Sequence, residues 1–236
     1  MNPFHLRPVA CWILLGASLP LLAGPAHPKG PEGRSLVERT LRIHGVTKDC
    51  VLTLAYPKSD EPSLARVAGQ DYWAFMPDAR NDLPLLILNY DFQGHFWQGV
   101  FGSTSFEVGI AQRNREAAPW SNLESLQEHL DKQGLGYNLR QMKNPPTTRG
   151  ERQKTETVEL NGTRWVIQRE ISGGDPDLFY YYFPFEEDYA LKIRIWHVDN
   201  SHRPGLPHSD WRPRSETFAK QLLATVKVRI EAGGSR

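Results

Sequence analysis

Residues 197–211 read HVDNSHRPGLPHSDW, with three histidines and two aspartates in fifteen positions. Twice a histidine stands two residues before an aspartate. His197 and Asp199 project to one side if the preceding strand continues through them. His202 and His208 could then fold back and complete a zinc set, which makes a metal-dependent hydrolase one function these types permit. No His-Glu-x-x-His pair fixes two ligands on a rigid element, and Pro204, Gly205, Pro207 and Pro213 interrupt the stretch. The expectation is therefore no bound metal and no cofactor. A protein interface asks less of the same residues. Trp211 and Arg212 belong to the types enriched at binding hot spots, and His197, Asp199, His202, His208, Asp210, Trp211 and Arg212 form the candidate binding set.

Other chemistry is thinner. Gly102-Ser103-Thr104-Ser105-Phe106 lacks the second glycine of a nucleophile elbow, so Ser103 and Ser105 read as hydroxyls in a sheet turn. Asp175 with Asp177, or Glu186 with Glu187 and Asp188, could supply an acid and a base. Both clusters sit where a hairpin needs solvated polar residues, and that is the preferred reading. No phosphate loop or dinucleotide fingerprint is present. Tyr180, Tyr181 and Tyr182 are consecutive, so a strand there must expose at least one of them unless both faces are covered. Trp97 and Trp120 are further interface candidates.

The ends and the composition narrow the compartment. Residues 1–26 carry Arg7, an apolar stretch from Val9 to Ala23, and Ala-Gly-Pro-Ala at 23–26, the three parts of a secretory signal with cleavage expected near Ala26. That stretch is too short, and too interrupted by Pro20, to span a bilayer of about 30 Å. Removing it takes one basic residue and no acid from 28 basic and 27 acidic side chains. The neutral remainder has no global electrostatic reason to bind nucleic acid or an anionic membrane. Of two cysteines, Cys11 leaves with the signal and Cys50 stays as a free thiol. A lone thiol fits the bacterial periplasm better than a disulfide-rich secreted module. Its setting in Cys-Val-Leu-Thr-Leu predicts a buried, inert side chain.

These residues must be positioned by strands. Residues 27–35 read as a flexible leader, followed by strands at Leu41–His44, Val51–Tyr56, Tyr72–Met76 and Leu85–Tyr90. Phe96 to Ala111 alternates around three glycines and predicts a bent pair of strands. Ser121 and Glu124 make a capping box for a helix with Leu123, Leu126 and Leu130 on one face, ended by Gly134. Asn161-Gly162 predicts a tight hairpin between Thr155–Leu160 and Thr163–Ile171. Strands at Leu178–Phe185 and Tyr189–Val198 follow, then a helix over Ser215–Thr225 and a last strand through Val226, Val228 and Ile230. The pattern predicts an α+β fold: an antiparallel sheet with amphipathic helices packed on one face, as a single domain over 36–236 with a possible subdomain break near 144–152.

The run Phe183-Pro184-Phe185-Glu186-Glu187-Asp188-Tyr189-Ala190-Leu191-Lys192-Ile193, then a polar loop, a helix and Ala224-Thr225-Val226-Lys227-Val228, resembles the C-terminal half of PsbP-like domains, over about residues 155–230. That resemblance implies an α+β fold and a mostly non-catalytic role in envelope assembly or ligand binding. In layout and export the chain also resembles periplasmic immunity proteins, which bind and block antibacterial effectors. The expected function is accordingly a non-enzymatic, exported, protein-binding module whose partner is another protein, such as a secreted toxin.

Overall fold

The computed structural model describes residues 34–58, 65–67, 71–73, 82–93, 100–113, 117–133, 151–152, 154–171, 178–199 and 211–233. The expected signal segment 1–26, most of the expected leader, the turn expected at 173–177 and the 144–150 part of the expected break lie outside them. The described strands are β1 (Leu36–His44), β2 (Lys48–Pro57), β3 (Ala65–Val67), β4 (Asp71–Trp73), β5 (Asp82–Gln93) and β6 (Val100–Gln112). After helix α1 (Leu123–Gln133) come β7 (Glu151–Arg152), β8 (Glu156–Leu160), β9 (Thr163–Ile171), β10 (Leu178–Pro184) and β11 (Tyr189–Asp199). Helix α2 (Trp211–Leu223) and β12 (Lys227–Ala232) complete the order.

The strands form two sheets. The smaller is ordered β12-β2-β1-β4, and the larger runs β3-β5-β6-β11-β10-β9-β7 with β8 also paired to β9. Pairing is antiparallel except where β4 lies parallel to β1. Side chains alternate between the two faces of each strand. On the large sheet Phe106, Val108, Ile110, Leu191, Ile193 and Ile195 therefore share one face, packed toward Leu41, Ile43, Leu52 and Leu54 of the small sheet. Helix α2 lies in that same core through Trp211, Phe218, Leu222 and Leu223. Side chains of this kind contribute roughly 1.5–3 kcal/mol each when fully buried. Helix α1 covers the opposite face of the large sheet, where Trp120, Leu126 and Leu130 pack on Val166, Tyr182 and Ala190.

The α+β expectation is corrected by this arrangement. The fold is mostly β, and its two described helices lie on opposite faces of the large sheet. Two local features explain much of the gap. The glycine-rich stretch that predicts a bent pair is, over its described residues, one 13-residue strand. β1 and β2 also extend well past their apolar alternation, as far as a three-residue turn. The register of β5 on β6 shifts between Pro84 and Leu86, so Pro84, which has no N–H to donate, sits at an irregularity.

The tight hairpin is present: Asn161 and Gly162 have φ of 51° and 76°, the left-handed pair of a type I′ turn. Helix α1 is capped differently from the expectation. The Ser125 N–H donates to Asn122 Oδ1 at 2.8 Å and the Asn122 N–H to Ser125 Oγ at 3.2 Å, one residue later than the Ser121–Glu124 box.

Candidate functional site

The His-rich stretch leaves the large sheet at the end of β11. Alternation turns His197 inward with Ile193 and Ile195, and His197 is 2% exposed. Across the core, α2 carries Trp211, Ser215, Phe218 and Leu222 on its buried face. Ser215 is the polar member of that face, and its hydroxyl needs a partner away from water. His197 Nδ1 supplies it at 2.5 Å and also lies 3.1 Å from Thr104 Oγ1 on β6, while the two hydroxyls contact each other. A serine oxygen on a histidine nitrogen is the geometry of a nucleophile and its base. Here Thr104 and Ser215 have no exposed surface, so a substrate has no approach to either oxygen in this conformation. The three groups satisfy one another and tie β6, β11 and α2 together.

Trp211 opens α2, four residues before the expected start, and it is 4% exposed. Pro213 falls in the first turn, where a missing N–H costs the helix nothing. The indole lies on Gly102 of β6: a Cβ there would stand 2.5 Å from ring carbons, so a glycine is required for this approach. Phe92 is 6.4 Å away between centroids, and Phe218 meets Tyr90 edge-on at 4.7 Å. Trp211 is thus a core residue and offers no free aromatic surface. Arg212 is half-buried, with Nε donating to Glu216 Oε1 at 2.9 Å along the helix. Asp199 ends β11 opposite Gly102, while His202, His208 and Asp210 lie outside the described residues. Among the described residues no group of three or more His, Cys, Asp or Glu could hold a metal.

In the acidic turn after β10 Glu187 and Asp188 are exposed, and only Glu186 departs from the solvated reading. Glu186 reaches into the turn between β1 and β2. Its carboxylate accepts from the N–H groups of Val46, Thr47 and Lys48 and from the Thr47 hydroxyl, at 2.5–3.0 Å. Successive backbone N–H groups around one anion make a nest. Gly45 allows the approach, since a Cβ there would stand 2.5 Å from the Glu186 carboxyl carbon. Asp188 accepts from Arg113 Nε at 2.7 Å, and the Glu187 carbonyl accepts from the Trp120 N–H at 2.8 Å. One short turn therefore clasps the small sheet on one side and the approach to α1 on the other.

Two further polar groups lie on the outer faces of the sheets. On the small sheet His44 Nδ1 stands 3.0 Å from Asp49 Oδ2, with Arg42 3.4 Å from the same oxygen and 2.6 Å from Glu231. The hydrogen bond from Arg42 holds the Glu231 carboxyl below its usual range. On the large sheet, β11 turns Lys192, Arg194 and Trp196 to the face away from the main apolar core, where Lys192 is buried, Arg194 half-buried and Trp196 exposed. Arg194 pairs with the buried Glu107 at 2.5 Å, and Ser105 donates to Asn89 at 2.6 Å beside Trp196. Trp196 is 41% exposed. The tyrosine run behaves otherwise: Tyr182 is buried and Tyr180 and Tyr181 are half-buried, because α1 covers one face and the core the other. Trp120 is likewise buried under α1, and Trp97 lies outside the described residues. Burial pushes the Cys50 thiol up to about 12, which keeps it protonated and unreactive at neutral pH.

The chain matches no family model and no curated protein. The PsbP-like and immunity-protein resemblances thus rest on sequence pattern and layout. Sequence reasoning passed over Trp196 and Arg194. A signal was present, since Arg194, Trp196 and Val198 alternate with Ile193, Ile195 and His197, and only one of those sets can face a core.

Proposed function

We propose that this chain is an exported, non-enzymatic module that binds another protein, in the manner of an immunity or inhibitor protein acting on a secreted effector. The observation that carries the reading is the outward Trp196 beside Arg194 on the large sheet. Tryptophan and arginine are the types that most often dominate binding energy. Leu178 of β10, half-buried, stands opposite Trp196 and borders this surface. The binding surface is thus moved from the 197–212 stretch to its neighbour on β11, because Trp211 and His197 are buried. Export is supported by the apolar run at 9–23, and among the described residues no helix is long and apolar enough to cross a membrane.

A photo-crosslinking amino acid at position 196, compared with one at the exposed Lys227 on the small sheet, tests the site in cells. One adduct specific to 196 is expected, recovered from the periplasmic fraction with residues 1–26 removed. For the partner so found, Trp196→Ala should weaken binding by about 2 kcal/mol or more with the melting temperature unchanged. Identical adducts at both positions, or undiminished binding by Trp196→Ala, would overturn the reading.

A further inference from the structure

Asn161-Gly162 is the sole Asn-Gly pair in the sequence. Its asparagine does more than shape the β8–β9 turn. Asn161 Nδ2 donates to the Val226 carbonyl at 2.7 Å and to the Leu223 carbonyl at 3.3 Å, and so closes the C-terminal end of α2 where the chain enters β12. Both partners are acceptors, so the amide nitrogen, and not the oxygen, must face them. The last carbonyls of a helix have no partner within it, and Asn161 satisfies part of that need from another element.

We propose that Asn161 is a site of spontaneous deamidation whose product the fold cannot re-accommodate, making the β8–β9 turn a one-way chemical clock on the folded state. In the reaction the Gly162 backbone nitrogen attacks Asn161 Cγ. A Cγ–N bond forms, the Cγ–Nδ2 bond breaks, and ammonia leaves with the proton given up by the Gly162 nitrogen. Water then opens the cyclic imide to aspartate or isoaspartate. Glycine at 162 leaves the attacking nitrogen unhindered. While the turn is closed, two hydrogen bonds hold the side-chain amide on α2 and keep Cγ from swinging back onto the chain. Opening of the turn releases it. The aspartate product has no hydrogen to donate and carries a charge against two carbonyl oxygens, so the closed turn cannot re-form with its original bonds. Isoaspartate also adds a backbone atom to a two-residue turn whose register depends on its length.

The test uses the full chain held in mildly alkaline buffer, folded or in urea. Mass spectrometry follows amide-to-acid conversion in the tryptic peptide Thr155–Arg164. Conversion should be at least about tenfold slower in the folded protein, the scale of a turn that reacts only on local opening. Gly162→Ala, read in urea, should slow it. Asn161→Asp should lower the melting temperature more than Asn161→Gly, which keeps the left-handed turn and brings no charge. Equal conversion rates folded and unfolded would overturn the proposal. So would an Asn161→Asp protein that melts with the wild type, and if that variant does not fold, the folded-to-unfolded rate ratio decides.

Discussion

Two stretches stand out for chemistry in this sequence, the acidic turn at 186–188 and the His-rich run from 197 to 212, and the fold uses them in opposite ways. The acidic turn keeps its charge but spends it on backbone: Glu186 fills a nest of three N–H groups at the far hairpin. The His-rich run sends its described ends inward, His197 into a hydroxyl cluster and Trp211 onto Gly102. One region is polar cargo doing structural duty at the surface. The other is an anchor at each end of a connection. Residue type alone does not separate them, because both carry groups that could serve catalysis.

Trp211→Ala should produce the largest effect on this contrast. Loss of a buried indole from the core is expected to cost about 3–5 kcal/mol in urea unfolding. Gly102→Ala, which puts a methyl into the same ring, should cost about 1–3 kcal/mol. If Trp211→Ala unfolds with the wild type, the anchor reading fails and the two regions become alike. Glu186→Ala should come next, at about 1–3 kcal/mol for loss of a charged acceptor that serves several donors. Glu187→Ala, one residue on and exposed, should stay within about 0.5 kcal/mol. Equal effects at 186 and 187 would return the turn to the solvated reading. Arg212→Ala should also be small, under about 1 kcal/mol, since its bond to Glu216 is a helix-surface pair of partly exposed side chains.

Much of the strand layout was legible because period-two alternation is a local property. The Asn161-Gly162 turn and the apolar faces of both helices follow from neighbours in sequence. What was not legible depends on distant partners. Glu186 looks like any turn acid until the hairpin at 45–48 is placed beside it, and Gly45 looks like any glycine until Glu186 arrives. Ser215 and Thr104 become a cluster only when β6, β11 and α2 meet. The fold class failed for a related reason. Local pattern finds a helix but does not say which face of a sheet it covers, and here the two helices take different faces. Asn122 replaced Ser121 as the cap because adjacent residues of equal capping strength compete, and the choice is settled by where the chain enters the helix.

The pairing of β12 with β2 has a consequence for when this protein can exist. Lys227 stands opposite Thr53 and Ala232 opposite Lys48, so β2 obtains one of its two neighbours only after residue 232 has been made. At ~5–20 residues per second, roughly 10–40 s of synthesis separate the two strands. Through that interval Leu52 and Leu54 have neither α2 nor β12 to cover them, and the nascent chain cannot complete its smaller sheet. Pairing this distant in sequence is slow even once synthesis has ended. Such an order of assembly leaves the smaller sheet to the last, and it gives holdase chaperones a predictable segment to grip.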